Sequence, residues 1–199
     1  LKQQFDLLQL HTFPRSDQLN KMWANANTDR VLAPLFEDQG KVPDDIGYYE
    51  EIIHNHGIVP TREDSWHDLF NALIWMQFPN VKTQLNVLHM EDIRAFGSHP
   101  RTQRRHHLTH FDECGVVLAI PKSQIQLGNE MLEALANHEW KNAFISKQAE
   151  WGRVIFPIVF GHANYEMMLN PYEGLTGKWL AVSVDDQFEE ASFAERSAM

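Results

Sequence analysis

The segment that most constrains the fold is Leu69 to Phe78, because it is apolar on nearly every face of a helix. Its large side chains are Leu69, Phe70, Leu73, Ile74, Trp75 and Met76. A helix that is hydrophobic all round is a buried one. Ser65 and Asp68 have the spacing of a capping box at its start, and Pro79 marks its end. The chain must therefore cover this helix with further elements on all sides.

The remaining periodicity predicts several helices and a few short strands. A helix through Ile52 and Ile53 is expected to end at Gly57 in the left-handed conformation. Further helices are predicted after Pro79, around residues 131–136, around Trp140, Phe144 and Trp151, and over Ala163 to Leu169, with those three aromatic residues in the core. Strands are predicted at Val116–Ile120, Val154–Phe160 and Trp179–Val184, and a polar loop at Gly97–Arg105. This pattern predicts an α+β fold, a predominantly helical single domain with a small sheet of a few short strands.

The length and net charge of the chain limit its domain organisation and the classes of function that it can have. The 199 residues suit one domain over 1–199, with segments 1–15 and 185–199 expected to be peripheral. A net charge of −10 argues against broad nucleic-acid binding or attachment to an anionic membrane. The longest apolar run, Val154 to Phe160, is too short to span a bilayer. The single cysteine, Cys114, excludes an internal disulfide framework and fits a cytoplasmic location, and no signal peptide is visible.

The first group of candidate functional residues surrounds the start of the buried helix. His67 and Asn71 are four residues apart and so share one helical face. We expect catalytic roles for His67, Asp68 and Asn71, with His67 as a general base or metal ligand, and an anion-binding role for Arg62. The alternative is structural, with Asp68 capping the helix and His67 a hydrogen-bonded core histidine.

The second group is a basic island that ends on two carboxylates. No acid occurs between Ile93 and Phe111, where arginines and histidines accumulate. Basic groups beside carboxylates suit a phosphate-bearing ligand, or a metal that bridges carboxylate and phosphate. We expect Arg105 to bind the anion and Asp112, rather than the adjacent Glu113, to bind a metal. The alternative is a solvated loop with turn-forming acids before Gly115.

The third group follows the predicted strand that ends at Phe160. His162 and Glu166 are four residues apart at the start of a helix, so both can reach one metal ion or each other. We predict that they are metal ligands, and an ordinary intrahelical His–Glu pair is the alternative.

These motifs together resemble a bacterial family of unknown function, the domain-of-unknown-function family numbered 3025. The resemblance runs from about Tyr49 to Pro171, and its motifs are Val59-Pro60-Thr61-Arg62, Trp66 to Leu73 with Phe78-Pro79, Leu108-Thr109 with Phe111-Asp112-Glu113, and Phe160-Gly161-His162-Ala163 with Glu166. It implies a bacterial cytosolic protein and supplies no reaction.

The leading hypothesis from the residues is a metal-assisted hydrolase of a phosphate-containing or other anionic small molecule. Mixed nitrogen and oxygen ligands suit zinc, manganese or iron. One alternative is a non-catalytic module that binds an anionic ligand or a partner protein. Another is a buried polar network that fixes the packing of the helices. The sequence does not determine the oligomeric state. If the groups serve one purpose, we expect His67, Asp112 and His162 to lie around one concavity.

Overall fold

The apolar segment forms helix α3 (Trp66–Gln77), and the other elements surround it. The computed structural model describes residues 12–26, 34–43 and 45–191. Every residue of α3 from Asp68 to Gln77 is buried, and Leu73 is 0% exposed. The Ser65 hydroxyl accepts a hydrogen bond from the backbone N–H of Asp68 at 3.2 Å, and this bond is one half of the predicted capping box. The other half does not form, because the Asp68 carboxylate binds Arg62 instead.

Short helices and strands make up the rest of the described chain. The helices are α1 (Ser16–Ala26), α2 (Tyr49–His56), α4 (Pro79–Phe96), α5 (Gln103–Cys114), α6 (Ile125–Ala136) and α7 (His162–Met167). The strands are β1 (Leu35–Asp38), β2 (Ile58–Thr61), β3 (Gly115–Pro121), β4 (Phe156–Val159) and β5 (Lys178–Val184). The α+β, mainly helical architecture is confirmed.

The strands form two small sheets, where the sequence predicted one. Strands β1 and β2 pair in parallel, with Phe36 opposite Val59. The other sheet has the order β4-β3-β5. Its central strand β3 is antiparallel to β4 and parallel to β5. Strand β3 leaves the end of α5 directly, so this sheet anchors one side of the region where α5 and α7 meet.

Three apolar cores hold these layers together, and the third packs Ala119, Phe156 and Val184 of the β4-β3-β5 sheet around Phe188. The first joins α3 to α1 and β1, and its buried members include Leu19, Phe36 and Leu73. The second joins β3 to α6 through Ile120 and Met131. Burying apolar surface stabilises by about 25 cal/mol per Å². The polar groups discussed below lie between α3, α4, α5 and α7.

One predicted loop is partly helical. The sequence predicted a polar loop over Gly97–Arg105, but α5 begins at Gln103 and continues to Cys114. Thr102 caps α5, because its hydroxyl accepts the backbone N–H of Arg105 at 3.1 Å. The basic composition of this stretch concealed its helical character, and the error affects the assignment of Asp112 and Glu113.

Two surface assignments also differ from the sequence prediction. Trp140 and Phe144 are 53% and 50% exposed, so they stack on the surface rather than in the core. Phe188 is only 2% exposed and packs on Phe156, so the start of the acidic tail is attached to the domain. Of the other expected peripheral residues, Phe13 packs on Trp66, and 1–11 and 192–199 lie outside the described residues.

Candidate metal centre

Three helices bring two histidines and a glutamate to one place. His67 lies in the first turn of α3, Glu113 in the last turn of α5, and His162 begins α7. Helix α7 packs against both α3 and α5. Residues that are far apart in sequence therefore become neighbours, and we call them the His–Glu–His group (His67, Glu113 and His162).

Gly161 allows α7 to approach the end of α5. Its N–H donates to the carbonyl of Gly115 at 2.8 Å. A Cβ added to Gly161 would lie 2.4 Å from the carbonyl oxygen of Glu113, closer than real Cβ atoms approach. Any other residue would push the two helix ends apart. Gly161 therefore sets the distance between His162 and Glu113.

The donor atoms of the group form a compact triangle. The two Nε2 atoms of His67 and His162 are 3.2 Å apart. Oε2 of Glu113 lies 3.5 Å from Nε2 of His162 and 3.9 Å from Nε2 of His67. Tetrahedral zinc with bonds of about 2.0–2.1 Å places its ligand atoms about 3.3 Å apart. The His–Glu–His group could therefore hold a metal ion.

Glu166 stands behind His67 rather than inside the triangle. Its Oε2 lies 3.1 Å from Nδ1 of His67, the ring nitrogen opposite the one that faces His162. A carboxylate accepts a hydrogen bond from a protonated nitrogen, so this contact favours N–H at Nδ1 and a free lone pair at Nε2. Metal-bound histidines commonly donate their other ring N–H to a carboxylate. The sequence predicted Glu166 as a direct ligand; its carboxylate contacts Nδ1 of His67 and is not part of the donor triangle, and the ligand role stays a prediction.

The electrostatic environment keeps His162 neutral. His162 is 3% exposed. Burial, helped by the charge of Lys82, lowers its pKa to about 3, so its ring has a lone pair to offer at neutral pH. Burial also raises the pKa of Glu113. The side chains of His67 and Glu113 are 30% and 36% exposed, so one side of the triangle is open to solvent.

A second polar network lies directly beside the group. Buried Lys82 donates from Nζ to Oδ1 of Asp112 at 2.6 Å and to Oδ1 of Asn71 at 2.9 Å. Asn71 in turn donates to the hydroxyl of Tyr49 at 3.0 Å. Burial acts to raise the pKa of Asp112, but the charge of Lys82 and its hydrogen bond outweigh this effect, and the pKa is lowered. Asp112 is therefore the ionised partner of a buried lysine.

Asp112 and Asn71 both bind Lys82 beside the His–Glu–His group, and the roles predicted for them stay predictions. Asp112 was predicted as a metal ligand, but Glu113 supplies the oxygen atom of the triangle. Consecutive residues of a helix point about 100° apart, so a continuous α5 can direct these two carboxylates to different partners. Asn71 was predicted to be catalytic, but it bridges Lys82 and Tyr49. The expected convergence of His67 and His162 is observed, with ring centroids 4.6 Å apart, and Asp112 is near enough to act on the pKa of His162.

The remaining predicted residues also have partners. Asp68 accepts hydrogen bonds from the backbone N–H of Arg62 at 2.6 Å and from its Nη2 at 2.8 Å, so it ties the start of α3 to the preceding segment. Arg62 stays 59% exposed. Arg105 was predicted to bind an anion, but it is 0% exposed and donates to the carbonyl of Ser98. Nε and Nη2 of Arg105 have no hydrogen-bond partner among the described residues, and its anion-binding role stays a prediction.

Sequence reasoning did not identify Glu113 as the favoured carboxylate, and it missed Lys82 and Tyr49. One signal for Lys82 was present in α4, where Lys82, Asn86 and His89 follow helical spacing. All three are buried. A polar stripe with the period of a buried face indicates side chains that find partners inside the protein.

The fold and this site define a predominantly helical α+β protein with a candidate metal centre where three helices meet. The chain belongs to the DUF3025 family, described as a protein of unknown function, whose model matches residues 35–199. No curated protein and no solved structure matches it significantly. Within the described ranges, none of the helices has the length and apolar character needed to cross a bilayer.

Proposed function

We propose that this chain is a metal-dependent hydrolase of a small anionic substrate, such as a phosphate ester. The observation that carries the proposal is the triangle of donor atoms from His67, Glu113 and His162, with edges of 3.2, 3.5 and 3.9 Å and an open side. Two histidines, one carboxylate and an open position are the ligand set of many catalytic zinc sites. Zinc is the ion we infer first, with manganese and iron as further candidates.

The residues around the triangle suit this chemistry. A bound divalent ion would polarise the substrate and lower the pKa of a water molecule. Glu166 would keep His67 in the tautomer that binds a metal. Arg62, exposed and electrostatically coupled to Glu166, would attract an anionic substrate at the rim. Lys82 adds a buried positive charge near His162, where negative charge would develop during hydrolysis.

The first test is metal content. Protein purified without a metal-affinity tag should contain about one equivalent of zinc, manganese or iron by elemental analysis, and His162→Ala should lose it. His110→Ala is the matched control, because His110 is exposed on α5 and lies outside the group. Metal retained in full by His162→Ala would show that His162 is not a ligand.

The second test is activity. The metal-loaded protein should hydrolyse an activated phosphate ester such as bis(p-nitrophenyl) phosphate, and chelation should abolish the reaction. The activity should return with added metal in the wild type and in His110→Ala, but not in His162→Ala. If the protein binds metal stoichiometrically but hydrolyses neither phosphate esters nor carboxylate esters, the metal centre is supported and the hydrolase proposal is refuted.

One observation favours a second candidate, a non-catalytic binding module whose polar groups are structural. Nε2 of His162 and Nε2 of His67 are within hydrogen-bond distance of each other without an ion. In that case His162→Ala should cost about 1–3 kcal/mol, because it leaves a buried partner unpaired. Absent metal, no thermal shift with zinc or manganese, and a strongly destabilised His162→Ala variant would together favour this candidate.

A further inference from the structure

A polar cavity lies between α2, α4 and α5, next to the candidate metal centre. Its volume is about 130 Å³. Glu113 lines this cavity and also belongs to the His–Glu–His group, and Lys82 and Asp112 line it as well. Water occupies about 30 Å³ per molecule in the liquid, so this space suits a molecule or substituent of only a few heavy atoms.

Three buried atoms of the residues that line the cavity have no hydrogen-bond partner among the described residues. They are Oε2 of Glu50, Nδ1 of His89 and the indole Nε1 of Trp75. Glu50 and His89 are 9% and 6% exposed. Nδ1 of His89 is 3.6 Å from Oε1 of Glu50, beyond hydrogen-bond distance. Buried polar atoms normally have partners, so these unpaired ones indicate a ligand that brings its own hydrogen-bonding groups.

The unpaired atoms define what that ligand must present. A carboxylate oxygen accepts hydrogen bonds, and so does Nδ1 of a neutral imidazole protonated at Nε2. Burial lowers the pKa of His89 to about 4, so its ring is neutral at pH 7. A group with two N–H donors satisfies both of these acceptors at once, and a carbonyl oxygen on the same ligand accepts from the unpaired indole N–H of Trp75. Arg101, which also lines the cavity, can donate to a carbonyl oxygen on the same ligand.

The charges of the wall argue against a charged occupant. A cation would meet Lys82 and Arg101, and an anion would meet the carboxylates of the wall, which are Glu50, Asp112 and Glu113. Burying an ion beside a like charge is costly, whereas a neutral group avoids both repulsions. A carboxamide or ureido group combines neutrality with N–H donors and a carbonyl acceptor.

We propose that this cavity binds a neutral carboxamide or ureido group of the substrate, held by Glu50 and His89, while the anionic part lies toward the metal centre. The identification of this ligand as part of the substrate rests on the proposed function, but binding of the group in the cavity is a separate property. Glu113 joins the two regions, so a molecule bound in the cavity would extend toward the metal.

The test compares three probes of nearly identical shape: acetamide, acetate and acetamidinium, with charges of zero, minus one and plus one. Binding to the full chain is measured by ligand-observed NMR after chelation of metal. We expect acetamide to bind with a dissociation constant on the order of 1 mM, since small ligands gain limited free energy. We expect the two ions to bind at least about tenfold more weakly.

Variants of Thr109, another lining residue, locate the binding. Thr109→Met should fill the cavity and abolish acetamide binding, whereas the isosteric Thr109→Val should leave it nearly unchanged. Glu50→Gln should weaken it severalfold by replacing the anionic acceptor. Thermal midpoints show whether each variant is folded, and Thr109→Val and Glu50→Gln give an answer even if Thr109→Met does not fold.

The possible results separate this inference from the proposed function. Acetamide binding that Thr109→Met or Glu50→Gln weakens supports the cavity site, even if the protein never binds metal. Tighter binding of acetate or acetamidinium overturns the proposed ligand class. No measurable binding of any probe, or binding that none of the variants changes, overturns the site itself, even if metal-dependent hydrolysis is found.

Discussion

Replacing Lys82 by methionine should destabilise the protein strongly at neutral pH. Nζ of Lys82 is 2.6 Å from Oδ1 of Asp112 and 2.9 Å from Oδ1 of Asn71, and the lysine side chain is 4% exposed. Methionine fills similar space but leaves the Asp112 carboxylate without its cation. Removing one partner of a buried ion pair costs about 3–5 kcal/mol. The Asp112 side chain is 25% exposed, so we expect a value near the lower end.

Urea unfolding followed by circular dichroism measures this cost. A loss of about 3 kcal/mol, with a slope of about 2 kcal/mol per molar urea, lowers the midpoint by about 1.5 M. The thermal midpoint should fall by about 6–12 °C in a chain of this length. The double variant Lys82→Met/Asp112→Leu removes both charges and should regain much of the loss.

The pH dependence gives a second check. The pKa of Asp112 is lowered in the folded wild type, so its stabilisation is present above the unfolded value of about 3.9 and is lost as the pH falls below it. Without Lys82, burial dominates and the pKa of Asp112 rises. Protonation of Asp112 at mildly acidic pH then removes the unpaired buried charge and reduces the destabilisation of the variant. The stability gap should therefore be widest at pH 7 and narrow toward pH 4. A loss below about 1 kcal/mol, or a gap that widens on acidification, would refute the reasoning.

Three further predictions concern the core, a helix end and the metal centre. Leu73→Ala should cost about 2–5 kcal/mol in chemical denaturation, because Leu73 is 0% exposed at the centre of α3. Gly57→Ala should cost about 1 kcal/mol by the same assay, because Gly57 ends α2 at φ 64°. Glu166→Gln should weaken metal binding about 10–100-fold in competition with a chromogenic chelator, because it removes the carboxylate 3.1 Å from Nδ1 of His67.

Each of these predictions has a control. Leu69→Met, a change of shape rather than volume in the same helix, should cost less than about 1.5 kcal/mol, and equal losses for both variants would contradict the cavity argument. Gly57→Asn should be milder than Gly57→Ala, since asparagine tolerates the left-handed region. Glu133→Gln, an exposed site on α6, should leave metal affinity unchanged.

The local elements could be predicted from the sequence because their causes lie within a few residues. The apolar faces of α3 require burial wherever the helix is placed. Ser65 satisfies the free N–H groups at its start, and Gly57 adopts the left-handed backbone that ends α2. The same spacing rules placed His67 near the start of α3 and His162 and Glu166 one turn apart.

The identity of the site's carboxylate was decided by the tertiary structure. Asp112 and Glu113 are adjacent acids, and the local sequence does not indicate which of them would bind a metal. Only the helical conformation of α5 directs Glu113 toward the histidines. That path was obscured because the segment is basic rather than amphipathic. Lys82, contributed by α4, then binds the other carboxylate.

The sequence by itself determined that this chain builds a mainly helical α+β domain around α3, and that histidines and acids gather at three points along it. Only the tertiary structure decided which of them touch. Whether His67 meets His162 depends on α7 crossing the ends of α3 and α5, at a distance set by the missing side chain of Gly161. Contacts between segments about 95 residues apart follow from packing, and no local spacing rule specifies packing.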